Sequence, residues 1–215
     1  MSIVPDRLAT STRGGIAPIA RRLHELGVSA NSVTVLGFLI TVAGAALLAA
    51  SQPGAALLVL LLGTLSDTLD GQIARAAGGG TRFGAFLDST LDRLSDAALA
   101  IAAVYLGASI FDPRADPPTG AVAYVLFWSG LVLLVGSFLV SYIRAKAESL
   151  GERASVGVAP REARIAVYLI GVAAWAVTGN SQFFVAAVAV AALLATITVI
   201  QRIAHMATAL NEKKG

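Results

Sequence analysis

Long apolar runs such as Val33–Ala50 and Phe183–Ile200 carry no charged side chain, and they leave this chain few ways to fold. A helix at the surface of a soluble protein alternates an apolar face with a polar one, and these runs do not. Segments of about 20 apolar residues are long enough to cross a bilayer, where a helix satisfies its own backbone hydrogen bonds. With 56% hydrophobic and 13% charged residues and a mean hydropathy of +0.76, the chain reads as an integral membrane protein. A sequence pI near 9.6 does not make it a nucleic-acid binder, because its arginines flank the apolar runs.

The expected fold class is all-α: six transmembrane helices preceded by an amphipathic surface helix. The spans are expected at Ser32–Ala50, Ala55–Ala76, Gly84–Ile110, Gly120–Ala147, Arg161–Thr178 and Phe183–Leu210. Residues 1–31 form a juxtamembrane segment, 32–210 the membrane domain and 211–215 a short polar tail. Ile16, Ile19, Ala20, Leu23 and Leu26 recur at helical spacing with Arg21 and Arg22 off the stripe, which suits a helix lying on a membrane surface and not a cleaved signal peptide. Of the lysines and arginines, only Arg114 falls in a connection on the side of Gln52-Pro53-Gly54 and Gly179-Asn180. The positive-inside rule then places both termini at the cytoplasmic face.

Between two of these apolar segments, Ser66–Asp96 holds Asp67, Asp70, Asp88, Asp92 and Asp96, with Arg75, Arg82 and Arg93. Carboxylates in or near a bilayer are costly unless they meet cations. On one helix Asp67, Asp70, Gly71 and Ala74 share a face; on the next, Gly84, Asp88 and Asp92 do. The Ala77-Gly-Gly-Gly-Thr81 turn would pair the two helices antiparallel and bring four carboxylates together at one membrane interface. Hard oxygen donors suit Mg²⁺, with Mn²⁺ as a substitute and room for two ions. With no cysteine, and with His24 and His205 far away in sequence, zinc and copper are not expected. Asp96 is expected to pair with Arg93 on its own helix, whereas the other four carboxylates outnumber the nearby cations.

Asp67-x-x-Asp70-Gly71-x-x-Ala74-Arg75 followed by Gly84-x-x-x-Asp88-x-x-x-Asp92 resembles the full motif of the CDP-alcohol phosphotransferases. The resemblance implies an enzyme in which Asp67, Asp70 and Asp88 hold the metal, Asp92 contributes to it, and Asp92 is also the general base for the acceptor hydroxyl. It further implies that Arg75 neutralises the pyrophosphate of CDP-diacylglycerol and that Thr81 bonds the nucleotide. Gly71 and Ala74 would let the nucleotide lie against the helix. Asn31, Ser32, Val33 and Thr34 would contact the head group, while Ser29 or Asn31 also suits a helix N-cap. A homodimer follows from the same resemblance, and the positive-inside rule that orients the termini also puts the acidic cluster on the cytoplasmic side of the cell membrane.

A basic region completes the pattern. Lys146, Arg164 and Arg202, with Arg144 and Arg161 beside them, would sit at the same depth and could bind a phosphate. Arginines there also serve as ordinary membrane-flanking anchors. The stretch Ser141-Tyr-Ile-Arg144-Ala-Lys146-Ala-Glu148, the Pro160–Arg164 segment and Gln201-Arg202 are similar to actinobacterial phosphatidylinositol phosphate synthases. That implies inositol 1-phosphate as acceptor and phosphatidylinositol phosphate and CMP as products. Glycerol 3-phosphate, the acceptor in phosphatidylglycerol phosphate synthesis, is the rival. A divalent-cation transporter would explain the aspartates but not Gly71, Ala74 and Arg75 at their spacings.

Overall fold

The computed structural model describes residues 17–110 and 117–212, and all of its regular structure is helical. Helix α1 covers 17–25, α2 Ala30–Ala49, α3 Pro53–Ala76, α4 Arg82–Ile110, α5 Pro117–Ser149, α6 Arg161–Thr178 and α7 Gln182–Glu212. The start of the expected juxtamembrane segment (1–16), the 111–116 connection and the last three residues of the polar tail lie outside the described residues.

Local chemistry sets the helix ends. Ser29 caps α2, its hydroxyl accepting from the Ser32 amide at 3.1 Å. Pro53 stands in the first turn of α3, where its missing N–H costs nothing. Thr81 caps α4 by accepting from the Gly84 amide at 2.9 Å. Between α3 and α4 the backbone passes through φ +87° at Gly78 and +123° at Gly79, conformations that favour glycine.

Pairing follows small residues. From one end of α2 to the other, Thr34 meets Asp70, Gly37 faces Ser66, Thr41 faces Gly63 and Gly44 faces Leu60, so α2 and α3 run antiparallel. A Cβ on Gly44 would lie 2.8 Å from Leu60 Cγ. Gly107 of α4 approaches α5 so closely that a Cβ would stand 2.6 Å from the Phe127 amide nitrogen. Helix α4 also packs on α2, α5 on α7, α6 on α7 and α3 on α6. Leu48, Leu60, Leu106, Leu126, Val172, Phe184 and Val188 fill the shared core. Tyr168, buried against Phe184, donates its hydroxyl proton to the Leu99 carbonyl at 2.8 Å.

Among the described residues, four helices are long and apolar enough to cross a membrane: α2, α3, residues Gly120–Ser149 of α5 and Gln182–Asn211 of α7. The other two expected spans carry charge where the site lies. Helix α4 holds Arg82, Asp88, Asp92, Arg93 and Asp96 in its first half, and α6 begins with Arg161, Glu162 and Arg164. In α1, Ala20 is buried while Ile19 is exposed, as is Leu26 in the turn that follows.

Candidate active site

The aspartates of α3 and α4 face each other across the groove that opens toward the Gly78–Gly80 turn. They do not meet at one point. Asp70 and Asp88 line a cavity of about 430 Å³ enclosed by α1, α2, α3 and the start of α4. Asp67 and Asp92 instead converge on a single nitrogen, Nη1 of Arg161, at 3.4 and 2.9 Å. Asp88 also interacts electrostatically with Asp67 and Asp92, so the four carboxylates stay within reach of one another, two turned to the cavity and two to Arg161.

The cavity gathers Asn31, Thr34, Asp70, Gly71, Ala74, Thr81, Gly84 and Asp88. Asp70 is buried and accepts from the Thr34 hydroxyl at 2.7 Å, which fixes one carboxylate oxygen against α2. The Asn31 side chain faces Gly84, where an added Cβ would stand 2.9 Å from Asn31 Oδ1. Asn31 lies inside α2, so of the two candidate caps Ser29 performs that role. Ser32 is exposed, its hydroxyl 2.7 Å from that of Ser29, and neither Ser32 nor Val33 lines the cavity. Arg75 is exposed at the rim, with its guanidinium beside Gly71. His24, set aside in the sequence because of its distance from the aspartates, lines this cavity from α1. Only the turn at Gly27, which folds α1 back over α2, brings it there.

A second, open groove of about 690 Å³ runs between α4 and α5 and is lined by Asp92, Arg93, Ser141, Tyr142, Arg144 and Glu148. Asp92 thus borders this groove and not the cavity of Asp70 and Asp88. Arg144 forms an exposed pair with Glu148 at 3.0 Å, and Lys146 is exposed at the end of α5. Ser141 and Tyr142 belong to the Ser141–Glu148 stretch that the sequence singles out, and Arg93 is there the expected partner of Asp96; none of the three is expected as a site residue.

Asp96 departs from expectation. Its Oδ1 accepts from Arg161 Nε at 3.0 Å and its Oδ2 lies 3.7 Å from Arg164 Nη2. Arg93 donates to the Ser89 carbonyl. A pair within one helix is weak and solvent-screened, whereas the arginines of α6 reach Asp96 in the shielded groove. Arg164 is buried and also donates to the Ala159 carbonyl at 2.9 Å. Arg202 is buried too, giving Nε to the Val156 carbonyl at 3.0 Å and Nη1 to the Val140 carbonyl at 2.6 Å. These two arginines pin the loop between α5 and α6.

The donor set suits a hard cation: it is all carboxylate, and Asp67 and Asp92 from different helices already hold one positively charged group between them. Among the described residues no three carboxylate or imidazole groups close into a finished metal cage.

The family model described as CDP-alcohol phosphatidyltransferase matches residues 28–208. The chain belongs to this family. It is 39% identical over 193 residues to the archaetidylinositol phosphate synthase of Methanothermobacter thermautotrophicus, covering 89% of this chain and 88% of that protein. It is 40% identical over 155 residues to the phosphatidylinositol phosphate synthase of Mycobacterium tuberculosis, covering 72% of this chain and 67% of that one. The crystal structure of the M. tuberculosis synthase with CDP-DAG bound superposes with a TM-score of 0.76 at 35% identity, over 87% of this chain and 91% of the other. A second crystal structure of that synthase, in complex with manganese and citrate, gives a TM-score of 0.76 at 34% identity, over 87% of each chain. As a CDP-alcohol phosphatidyltransferase the chain is an enzyme of phospholipid synthesis, and the matched residues include the carboxylates of α3 and α4.

Proposed function

We propose that this enzyme transfers the phosphatidyl group of CDP-diacylglycerol to a hydroxyl of inositol 1-phosphate, giving phosphatidylinositol phosphate and CMP. The observation that carries the reading is the cavity in which Asp70, Asp88, Gly71, Ala74 and Thr81 meet, a mostly apolar pocket with two carboxylates and small residues on its wall. The acceptor follows from kinship: both named synthases make an inositol phosphate lipid and differ in the lipid part of the name.

Asp67, Asp70, Asp88 and Asp92 would hold one or two Mg²⁺ ions, with Mn²⁺ as substitute. When bound, they supply charge neutralisation at the pyrophosphate and a better leaving group. Asn31, Ser32, Val33 and Thr34 edge the nucleotide site from α2; of these, Asn31 and Thr34 line the cavity. Arg75 neutralises pyrophosphate charge from the rim, and Thr81 offers its hydroxyl to the nucleotide. Asp92, on the side of the α4–α5 groove, takes the acceptor's hydroxyl proton. The freed oxygen forms a bond to the β-phosphorus, the bond from that phosphorus to CMP breaks, and CMP leaves with the electron pair. Arg144, Lys146, Arg161, Arg164 and Arg202 supply positive charge for the acceptor phosphate, and Arg144 lines the groove beside Asp92.

The membrane domain spans residues 32–210 with six crossings, α4 and α6 completing the four apolar helices, and α1 lies on the surface. Both termini and the site face the cytoplasm of a multi-pass protein of the cell membrane, acting as a homodimer. Support comes from the single arginine, Arg114, on the opposite side.

The test is CMP release by purified protein in detergent with CDP-diacylglycerol and Mg²⁺, comparing inositol 1-phosphate, inositol and glycerol 3-phosphate. Turnover with inositol 1-phosphate alone is expected. Turnover with glycerol 3-phosphate instead would move the function to phosphatidylglycerol phosphate synthesis. An archaeol-based CDP-lipid in the same assay decides between the two donor lipids.

A further inference from the structure

Arg161 does more than one arginine on a helix end is usually asked to do. It enters from the first turn of α6, and its Nη1 meets Asp67 of α3 and Asp92 of α4 while its Nε meets Asp96 one turn further along α4. One guanidinium thus closes three carboxylates from two other helices. Two of these, Asp67 and Asp92, are proposed metal ligands; Asp96 is not. Asp96 is also the most shielded of the three, with Arg164 behind its second oxygen.

We propose that Arg161 is a tethered cation that occupies the Asp67–Asp92 pair while the metal is absent and yields it when the metal binds, Asp96 retaining the displaced guanidinium. The inference rests on the metal reading above. Arg161 Nη1 engages one oxygen each of Asp67 and Asp92. A divalent ion held between the same two carboxylates would face that guanidinium at short range, and the repulsion between the two cations disfavours both being held there at once. The arginine has a long flexible stem, and one of its bonds is to an oxygen outside the metal set, so it can leave Nη1's partners without losing Asp96.

Two opposite effects follow. In the metal-free protein Arg161 offsets the repulsion between Asp67 and Asp92 and so stabilises the fold. By linkage, whatever it contributes to the empty site is subtracted from metal affinity. A salt bridge that stays in place when the metal binds would not weaken metal binding, nor would an arginine whose only partner is the acceptor.

The experiment is Mn²⁺ binding to the full-length protein in detergent, followed by electron paramagnetic resonance, alongside thermal unfolding in EDTA and in Mn²⁺. Arg161→Gln is expected to bind Mn²⁺ roughly tenfold more tightly than wild type. Its Tm in EDTA should be lower, and its gain in Tm on adding Mn²⁺ larger. Wild-type binding with equal or weaker affinity in the Gln variant overturns the proposal and leaves the metal reading intact. If neither protein binds Mn²⁺, the metal reading fails and the proposal with it. Should the Gln variant not fold, Arg161→Lys carries the test. A compact ammonium lacks the planar fork that bridges several carboxylates, so Mn²⁺ affinity should rise by a smaller factor, and an unchanged or weaker affinity is the contrary result.

Discussion

Asp70 of α3 and Asp92 of α4 belong to one motif yet border different spaces. Asp70 is buried, tied to Thr34, and looks into the cavity with Gly71 and Ala74. Asp92 borders the α4–α5 groove with Arg93 and Arg144. That division suits a proton acceptor that meets the second substrate. Asp92→Asn should therefore lose about 10²- to 10⁴-fold in CMP release, the usual worth of a general base, while CDP-diacylglycerol binding survives; equal loss of both would refute the assignment. Gly71 permits a cleaner experiment, because a Cβ there would meet only the Arg75 guanidinium, at 3.6 and 3.8 Å, an ordinary contact with a flexible tip. Gly71→Ala should unfold at the wild-type temperature yet raise KM for the CDP-lipid. A fall in Tm with unchanged KM would remove the glycine from the nucleotide site.

The polar stripe near the end of α7 belongs to one element and serves another. Thr198 accepts from the Ala159 amide at 3.3 Å and Gln201 from the Val158 amide at 2.9 Å, while Arg202 donates to Val156 and His205 lies 3.2 Å from the Arg153 carbonyl. These residues recur at helical spacing, so one face of α7 clamps the loop that delivers Arg161 and Arg164 to the site. Arg202→Gln takes a donor from the carbonyls of buried Val140 and half-buried Val156, a loss of about 1–3 kcal/mol. Thermal unfolding in detergent should show a lower Tm; an unaltered Tm with a raised acceptor KM would assign Arg202 to the phosphate alone. The turn between α3 and α4 and the faces that carry the aspartates were legible in the sequence because their signals are local: a glycine turn, and carboxylates at i, i+3 and i+4, i+8. That α3 packs on α2 and α6, and α4 on α2 and α5, was not. Nor were the partners of Asp96 and Arg202. They come from residues 65 and 46 positions away, and which side chains meet across helices depends on the rotation and depth of each helix, which no spacing within one helix encodes. The same holds for His24, carried to the cavity by a turn.

At the scale of the whole molecule the outer surface is apolar: Leu58, Leu62, Ile170, Val177, Leu193 and Ile200 are all exposed. Contiguous apolar surface of this kind is rare on a protein in water and ordinary against lipid. The charges sort by end. The 50–52 and 179–181 connections hold no lysine or arginine, whereas α1, the start of α4, the 150–160 loop and the start of α6 carry Arg21, Arg22, Arg82, Arg153, Arg161 and Arg164. Because basic residues resist translocation, the arginine-bearing end, and the carboxylates with it, should face the cytoplasm. That orientation also puts the site where soluble, phosphorylated acceptors are found. The chain has no cysteine, so single thiols can report topology without background. Gln52 and Ser155 are exposed in connections at opposite ends. In intact cells a membrane-impermeant maleimide should label Gln52→Cys and leave Ser155→Cys untouched until the membrane is permeabilised. The reverse pattern would invert the protein, and labelling of both in intact cells would mean that the helices between them do not seal the bilayer.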